Sequence, residues 1–149
     1  MKLYLVRHGQ TDWNKEKRLQ GQEDIPLNDF GRHLAKETGV GLRNVRFDLC
    51  FSSDLKRALE TANLILDEGS NKVPIIMDKR LKEIAFGEWE GKSVARNQME
   101  VPDEFLKFYD DPEHFAGAPG GESFAEVKER TDDFLKWLVG QEEYEDKNI

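Results

Sequence analysis

Lys2-Leu3-Tyr4-Leu5-Val6-Arg7-His8-Gly9 is the stretch on which the fold is decided. Leu3 to Val6 are apolar without alternation. A parallel strand covered by helices on both faces reads this way, because neither face meets water. Arg7-His8-Gly9 then leaves the strand in a turn. Ligands of open α/β sheets bind outside the carboxyl ends of the strands. A histidine placed there is reachable yet held by rigid backbone. Gly9 is expected to let the chain turn sharply and a ligand come close. Arg7 offers a planar fork of donors suited to phosphate. Taken alone, the tripeptide is more often just a surface turn.

Outward from this stretch, strands alternate with helices. Pro26 and Asn28-Asp29 introduce a helix of about 13 residues that ends at Leu42, its end weakened by Gly39 and Gly41. Phe47 to Phe51 is a second strand. Ser52 or Ser53 caps the next helix, whose stripe is Leu55, Leu59, Ala62, Ile65 and Leu66. Val73 to Met77 is a third strand, and Leu81 to Gly91 is irregular and aromatic. Ser93 to Tyr109 reads as helix interrupted at Pro102, and Pro112 to Gly121 as loop. Ser123 and Glu126 form a Ser-x-x-Glu capping box before a last helix with Val127, Thr131, Phe134, Leu135 and Leu138 on one face. Residues 142–146 read as a solvated turn. The expected fold is α/β, a three-layer αβα sandwich with a mostly parallel sheet, in one domain over residues 1–149.

Composition narrows the function. The 149 residues carry 22 Lys+Arg against 30 Asp+Glu, a formal charge of −8. Such a chain is a poor general binder of nucleic acid or of a membrane surface, where Lys and Arg neutralise phosphates. No run approaches the roughly 18 apolar residues of a membrane span. The apolar run at the N-terminus is too short for a signal peptide. The single cysteine, Cys50, cannot form an internal disulfide and reads as a small buried hydrophobe. A cytoplasmic protein is the expectation.

Two further segments fall at strand ends. Arg57, within Ser52-Ser53-Asp54-Leu55-Lys56-Arg57-Ala58, lies in the first turn of a helix whose N-terminus itself favours anions. Glu83 follows the third strand among Leu81, Ile84, Phe86 and Trp89. Apolar neighbours of that kind would desolvate a carboxylate and make it a useful acid.

Leu5-Val6-Arg7-His8-Gly9-Gln10-Thr11 with Trp13-Asn14, the Ser52–Ala58 segment through Thr61-Ala62, Glu83 with Phe86-Gly87-Glu88-Trp89-Glu90-Gly91, and Gly120-Gly121-Glu122-Ser123 together resemble the histidine phosphatase superfamily, also called the phosphoglycerate mutase-like family. The matches run in order from residue 5 to residue 123. The resemblance implies phosphoryl transfer through a phosphohistidine. His8 would be the nucleophile, Arg7 and Arg57 the clamp on the phosphoryl oxygens, and Glu83 the group that protonates the leaving oxygen and later activates water. Asn14 would add a neutral donor, and Gln20 and Gly21 fall where relatives line the pocket. The chemistry needs no metal and no other cofactor. His8, His33 and His114 are too far apart in sequence to suggest a metal cluster; the latter two read as surface or loop residues.

One part of the family pattern is absent, a late strand ending in Ser-His-Gly or Thr-His-Gly whose histidine completes the clamp. The chain would then be C-terminally incomplete, stopping at Lys147-Asn148-Ile149 where that strand should begin. Reduced or lost activity is expected, together with an exposed sheet edge through which two copies could form a homodimer. The substrate implied is a small phosphorylated molecule. The acidic, aromatic Phe86–Lys92 stretch favours a phosphomonoester phosphatase. A phosphoglycerate mutase is the alternative, and a non-catalytic phosphate-binding or interaction domain is the alternative of another class. Specificity is expected in residues 93–118, although Phe105, Phe108, Tyr109 and Phe115 read more readily as core than as pocket.

Overall fold

Two short parallel strands, β1 (Cys50–Ser52) and β2 (Ile75–Met77), pair Cys50 with Ile75 and Ser52 with Met77. They belong to a computed structural model of the chain, which describes residues 1–69 and 72–149. The helices are α1 (Asp12–Glu16), α2 (Asp29–Leu42), α3 (Lys56–Asp67), α4 (Lys107–Asp110) and α5 (Phe124–Val139). Helix α3 packs against α2 and against both strands, while Phe51 of β1 meets Phe134 and Trp137 of α5 edge-on. The result is an α/β fold whose parallel sheet is flanked by helices. Among the described residues, no helix is long and apolar enough to cross a membrane.

Helices α2 and α5 begin where their caps predict. Asn28 Oδ1 accepts from Gly31 N at 2.8 Å. Glu126 Oε2 accepts from Ser123 N at 2.7 Å, and Ser123 Oγ from Glu126 N at 3.3 Å. Each bond satisfies an amide that the first helical turn would otherwise leave unpaired. Helix α3 departs from expectation. Neither Ser52 nor Ser53 caps it; Leu55 holds the cap position, Ser53 Oγ accepts from Leu55 N, and Asp24 Oδ1 of a distant loop accepts from Lys56 N at 2.7 Å. An acceptor from another segment does what a local side chain would ordinarily do.

The expected first strand is the largest correction. Lys2 forms one parallel bridge to Asn148, and Tyr4 N donates to Ile149 O at 2.7 Å. Asp48 N donates to Asn148 O on the other side, so residues 147–149 run between the N-terminal segment and the approach to β1. Beyond them a cavity of about 420 Å³ separates Leu5 and Val6 from Phe51 and Ser52. Leu5 is 92% exposed and Val6 51%. The apolar run is strand-like in sequence, but with a cavity beside it the Leu5 and Val6 backbone pairs with no other backbone among the described residues.

The second correction lies in residues 93–109. Only the turn Asp103–Leu106 and α4 are helical; the stretch before Pro102 is irregular. Burial rather than helical hydrogen bonding organises this region. Leu19, Ile84, Phe86, Trp89, Val101, Phe105, Phe115 and Ala118 form one buried cluster. Phe105 and Phe115 are core residues, as expected, whereas Tyr109 is exposed.

Candidate active site

The turn after residue 6 holds His8 half-buried. Its Nδ1 lies 2.7 Å from Gly9 O. A carbonyl only accepts, so Nδ1 carries the proton and the neutral ring keeps its lone pair on Nε2. Burial is the main influence lowering the His8 pKa below its ordinary 6.5; the Gly9 carbonyl and Glu83 oppose it, and the Arg57 and Arg7 charges reinforce it. The imidazole is therefore neutral near pH 7, as a nucleophile must be.

Arg57 is 1% exposed, inside the first turn of α3. Its Nη1 donates to Glu23 O and its Nη2 to Gly21 O, each at 2.7 Å. Its Nε is buried and has no hydrogen-bond partner among the described residues. A buried, unpaired donor on a cation is costly unless a ligand meets it. Arg7 is exposed. Arg7, His8, Arg57 and Glu83 all line the cavity that opens at the carboxyl end of β1. The structure thus gathers the four side chains that the sequence singled out for catalysis.

Glu83 differs from expectation in its surroundings. Ile84, Phe86 and Trp89 turn into the aromatic cluster, while Glu83 itself is exposed, its Oε1 accepting from Ile84 N at 3.1 Å. The apolar neighbours in sequence lie on the other side of an irregular backbone and do not desolvate the carboxylate.

The three lesser candidates have structural tasks. Asn14 Oδ1 accepts from Thr11 N at 3.0 Å in the capping box of α1; its amide NH₂ bonds to no described residue and stays free to donate. Gln20 Oε1 accepts from buried Thr11 Oγ1 at 2.7 Å. Gly21 adopts a φ of +52°, and a Cβ there would sit 2.9 Å from Phe86 N and closer still to the Glu90 carboxylate. None of the three lines the cavity. Gly9 also needs its missing side chain for packing, since a Cβ would come within 2.6 Å of Gly31 O in α2. The expected close approach is thus made by a helix backbone.

Sequence reasoning placed Thr61 in a motif but gave it no role. Its Oγ1 accepts from Gly9 N at 3.0 Å and donates to Arg57 O at 2.7 Å, joining the histidine turn to the arginine helix. Arg57, Thr61 and Ile65 are the buried residues of α3 and stand four apart. Two polar residues in register with a buried isoleucine were the signal available. Of the other two histidines, His33 is exposed on α2, and exposed His114 pairs through Nδ1 with Asp111 at 2.8 Å. Burial raises the thiol pKa of half-buried Cys50.

An α/β fold thus sets a neutral imidazole in one cavity with two guanidinium groups at a strand's carboxyl end. The chain belongs to the histidine phosphatase superfamily (branch 1), whose sequence model matches residues 3–149. It is similar to the fructose-2,6-bisphosphatase TIGAR of Xenopus tropicalis, 40% identical over 91% of this chain and 49% of the relative. Similarity also extends to a 2,3-bisphosphoglycerate-dependent phosphoglycerate mutase of Cytophaga hutchinsonii, 30% identical over 99% of this chain and 68% of the relative. Among solved structures, Bacillus stearothermophilus YhfR superposes with a TM-score of 0.86 at 36% identity, covering 99% of this chain and 70% of that one. The chain spans about half the length of the TIGAR relative that it matches.

Proposed function

We propose that the protein transfers a phosphoryl group through His8 and hydrolyses small phosphomonoesters. The observation that carries this reading is the 2.7 Å bond from His8 Nδ1 to Gly9 O, which leaves the lone pair on Nε2 of a ring that lines the cavity with Arg7, Arg57 and Glu83. Nε2 attacks phosphorus, the N–P bond forms, and the P–O bond to the leaving group breaks. Glu83 gives its proton to the departing oxygen. Water then attacks the phosphohistidine, Glu83 takes its proton, and the N–P bond breaks to release phosphate. Arg7 and Arg57 stabilise the charge on the equatorial oxygens, which is most of what phosphoryl-transfer catalysis requires. Greater identity to a bisphosphatase than to a mutase favours hydrolysis over mutation.

A binding-only reading draws on one observation. Two of the five Arg57 N–H donors are already committed to the Gly21 and Glu23 carbonyls, which ties the guanidinium to the backbone and leaves Nε–H and one N–H on each Nη for a ligand. We also infer that two copies associate through the open edge at Leu5 and Val6, where exposed apolar residues border unpaired backbone.

The test is hydrolysis of p-nitrophenyl phosphate near neutral pH without added metal, with His8→Ala beside it. Turnover that falls by about 10³ or more in His8→Ala, with a phosphoryl group trapped on His8 of the parent, is the expected outcome. Turnover unchanged in His8→Ala overturns the reading. Phosphate binding without phosphoryl transfer to His8 selects the binding-only one.

A further inference from the structure

The backbone that carries Glu83 is held from outside by side chains that never reach the cavity. Glu83 O accepts from Gln22 Nε2 and from Arg130 Nη2, each at 3.2 Å. Ala85 N donates to Glu122 Oε2 at 2.8 Å, and Ala85 O accepts from Glu122 N at 2.8 Å. Arg130 closes the arrangement. Its Nε and Nη2 donate to the two Glu122 carboxylate oxygens at 2.8 and 3.0 Å, and its Nη1 donates to Arg80 O at 2.7 Å. The two side chains are only 17% and 21% exposed. Burial alone would push the Glu122 pKa up. The Arg130 guanidinium, the Ala85 amide and Gln22 outweigh that and hold it below its usual value.

Residues 82–86 have no strand ladder or helix to fix them; they run between the turns Lys79–Leu81 and Gly87–Trp89. Glu83 is exposed, and among the described residues its carboxylate bonds only to the neighbouring Ile84 amide. Local structure therefore does little to set where the carboxylate stands. The Glu122–Arg130 pair does, because it grips the main chain on either side of Ile84. Gln22 extends the grip. It lies between Gly21 and Glu23, whose carbonyls hold Arg57, so the arginine and the carboxylate are positioned by one connected set of bonds.

We propose that Arg130, acting with Glu122, is a positioning residue for Glu83, aligning the general acid with the phosphoryl site from helix α5. This rests on the reading of Glu83 as the acid. The planar fork is what the task requires: one guanidinium makes four bonds at once, two to the carboxylate and one to each of two carbonyls, whereas an ammonium has only three donors. A 1 Å displacement of a catalytic group can cost about 10²-fold in rate.

Arg130→Lys keeps the charge and removes the fork. Its hydrolysis of p-nitrophenyl phosphate is measured alone and in a Glu83→Gln background, with the Glu83 carboxyl titrated by ¹³C NMR and assigned through the same Glu83→Gln variant. The expected result is a kcat lower by about tenfold with KM within about twofold, no further loss in the Glu83→Gln background, and a displaced Glu83 titration. Equal losses in both backgrounds, or an unaltered Glu83 titration, overturn the proposal. If Glu83→Gln leaves kcat unchanged, the acid assignment falls, and the NMR titration still decides whether Arg130 positions Glu83. The same titration decides it if turnover is too slow to follow.

Discussion

The sheet and the segment from Ile84 to Ala118 have exchanged the roles that their secondary structure suggests. The sheet is the regular element, yet Leu5 beside it is 92% exposed and a cavity of about 420 Å³ opens next to β1. The irregular segment has only short helical turns, yet Phe105 is 1% exposed and Phe115 3%. Trp89 and Phe105 meet edge-on at 6.0 Å, and Phe105 and Phe108 stack at 5.5 Å. Aromatic rings close a core through contacts among themselves. A strand's backbone is satisfied only by a neighbour, whatever its side chains.

The sharpest way to break this comparison is to empty the irregular core. Phe105→Ala should cost about 3–5 kcal/mol, the usual range for a buried aromatic, read as the shift in urea midpoint. A loss below about 1 kcal/mol would mean that the cluster is loosely packed and the contrast false.

A smaller effect is expected at His8, in the cavity beside the sheet. Its pKa in the folded chain is lowered, chiefly by burial, so the unfolded chain binds the proton more readily. The stability that follows is fully present above the unfolded value near 6.5 and is lost as pH falls from there through the lower folded value. The urea midpoint of the parent should therefore fall more steeply between pH 7 and pH 5 than that of His8→Ala. Parallel profiles would show that His8 is not held neutral by its surroundings.

The smallest effect is expected at the open edge. Leu5→Lys should change monomer stability by less than about 0.5 kcal/mol, as exposed positions do, while abolishing association through that edge in sedimentation. A large loss of stability would show that Leu5 is buried in solution and would erase the contrast.

Much of the site was legible. His8, Arg7, Arg57 and Glu83 each follow a strand candidate, and the rule that ligands sit at strand carboxyl ends brings them together from the sequence alone. The surroundings of each were not legible. Glu83 has apolar neighbours in sequence, but an irregular backbone turns Ile84, Phe86 and Trp89 one way and Glu83 the other. Asn14 and Gln20 were candidates for the pocket because of their position in the motif. Their oxygens instead serve Thr11, a residue with no chemical signature of its own.

The sequence by itself determined α2 and α5, because a cap and an apolar stripe act over one or two helical turns and need nothing distant. It also determined which side chains meet at the cavity's charged end. The tertiary structure decided that α3 is capped by Asp24, that Leu5 and Val6 lie open, and that Glu122 and Arg130 grip the backbone around Glu83. The cap and the grip depend on groups 32 or more residues apart in the chain, with partners set by packing. No local pattern records which distant donor or acceptor will arrive.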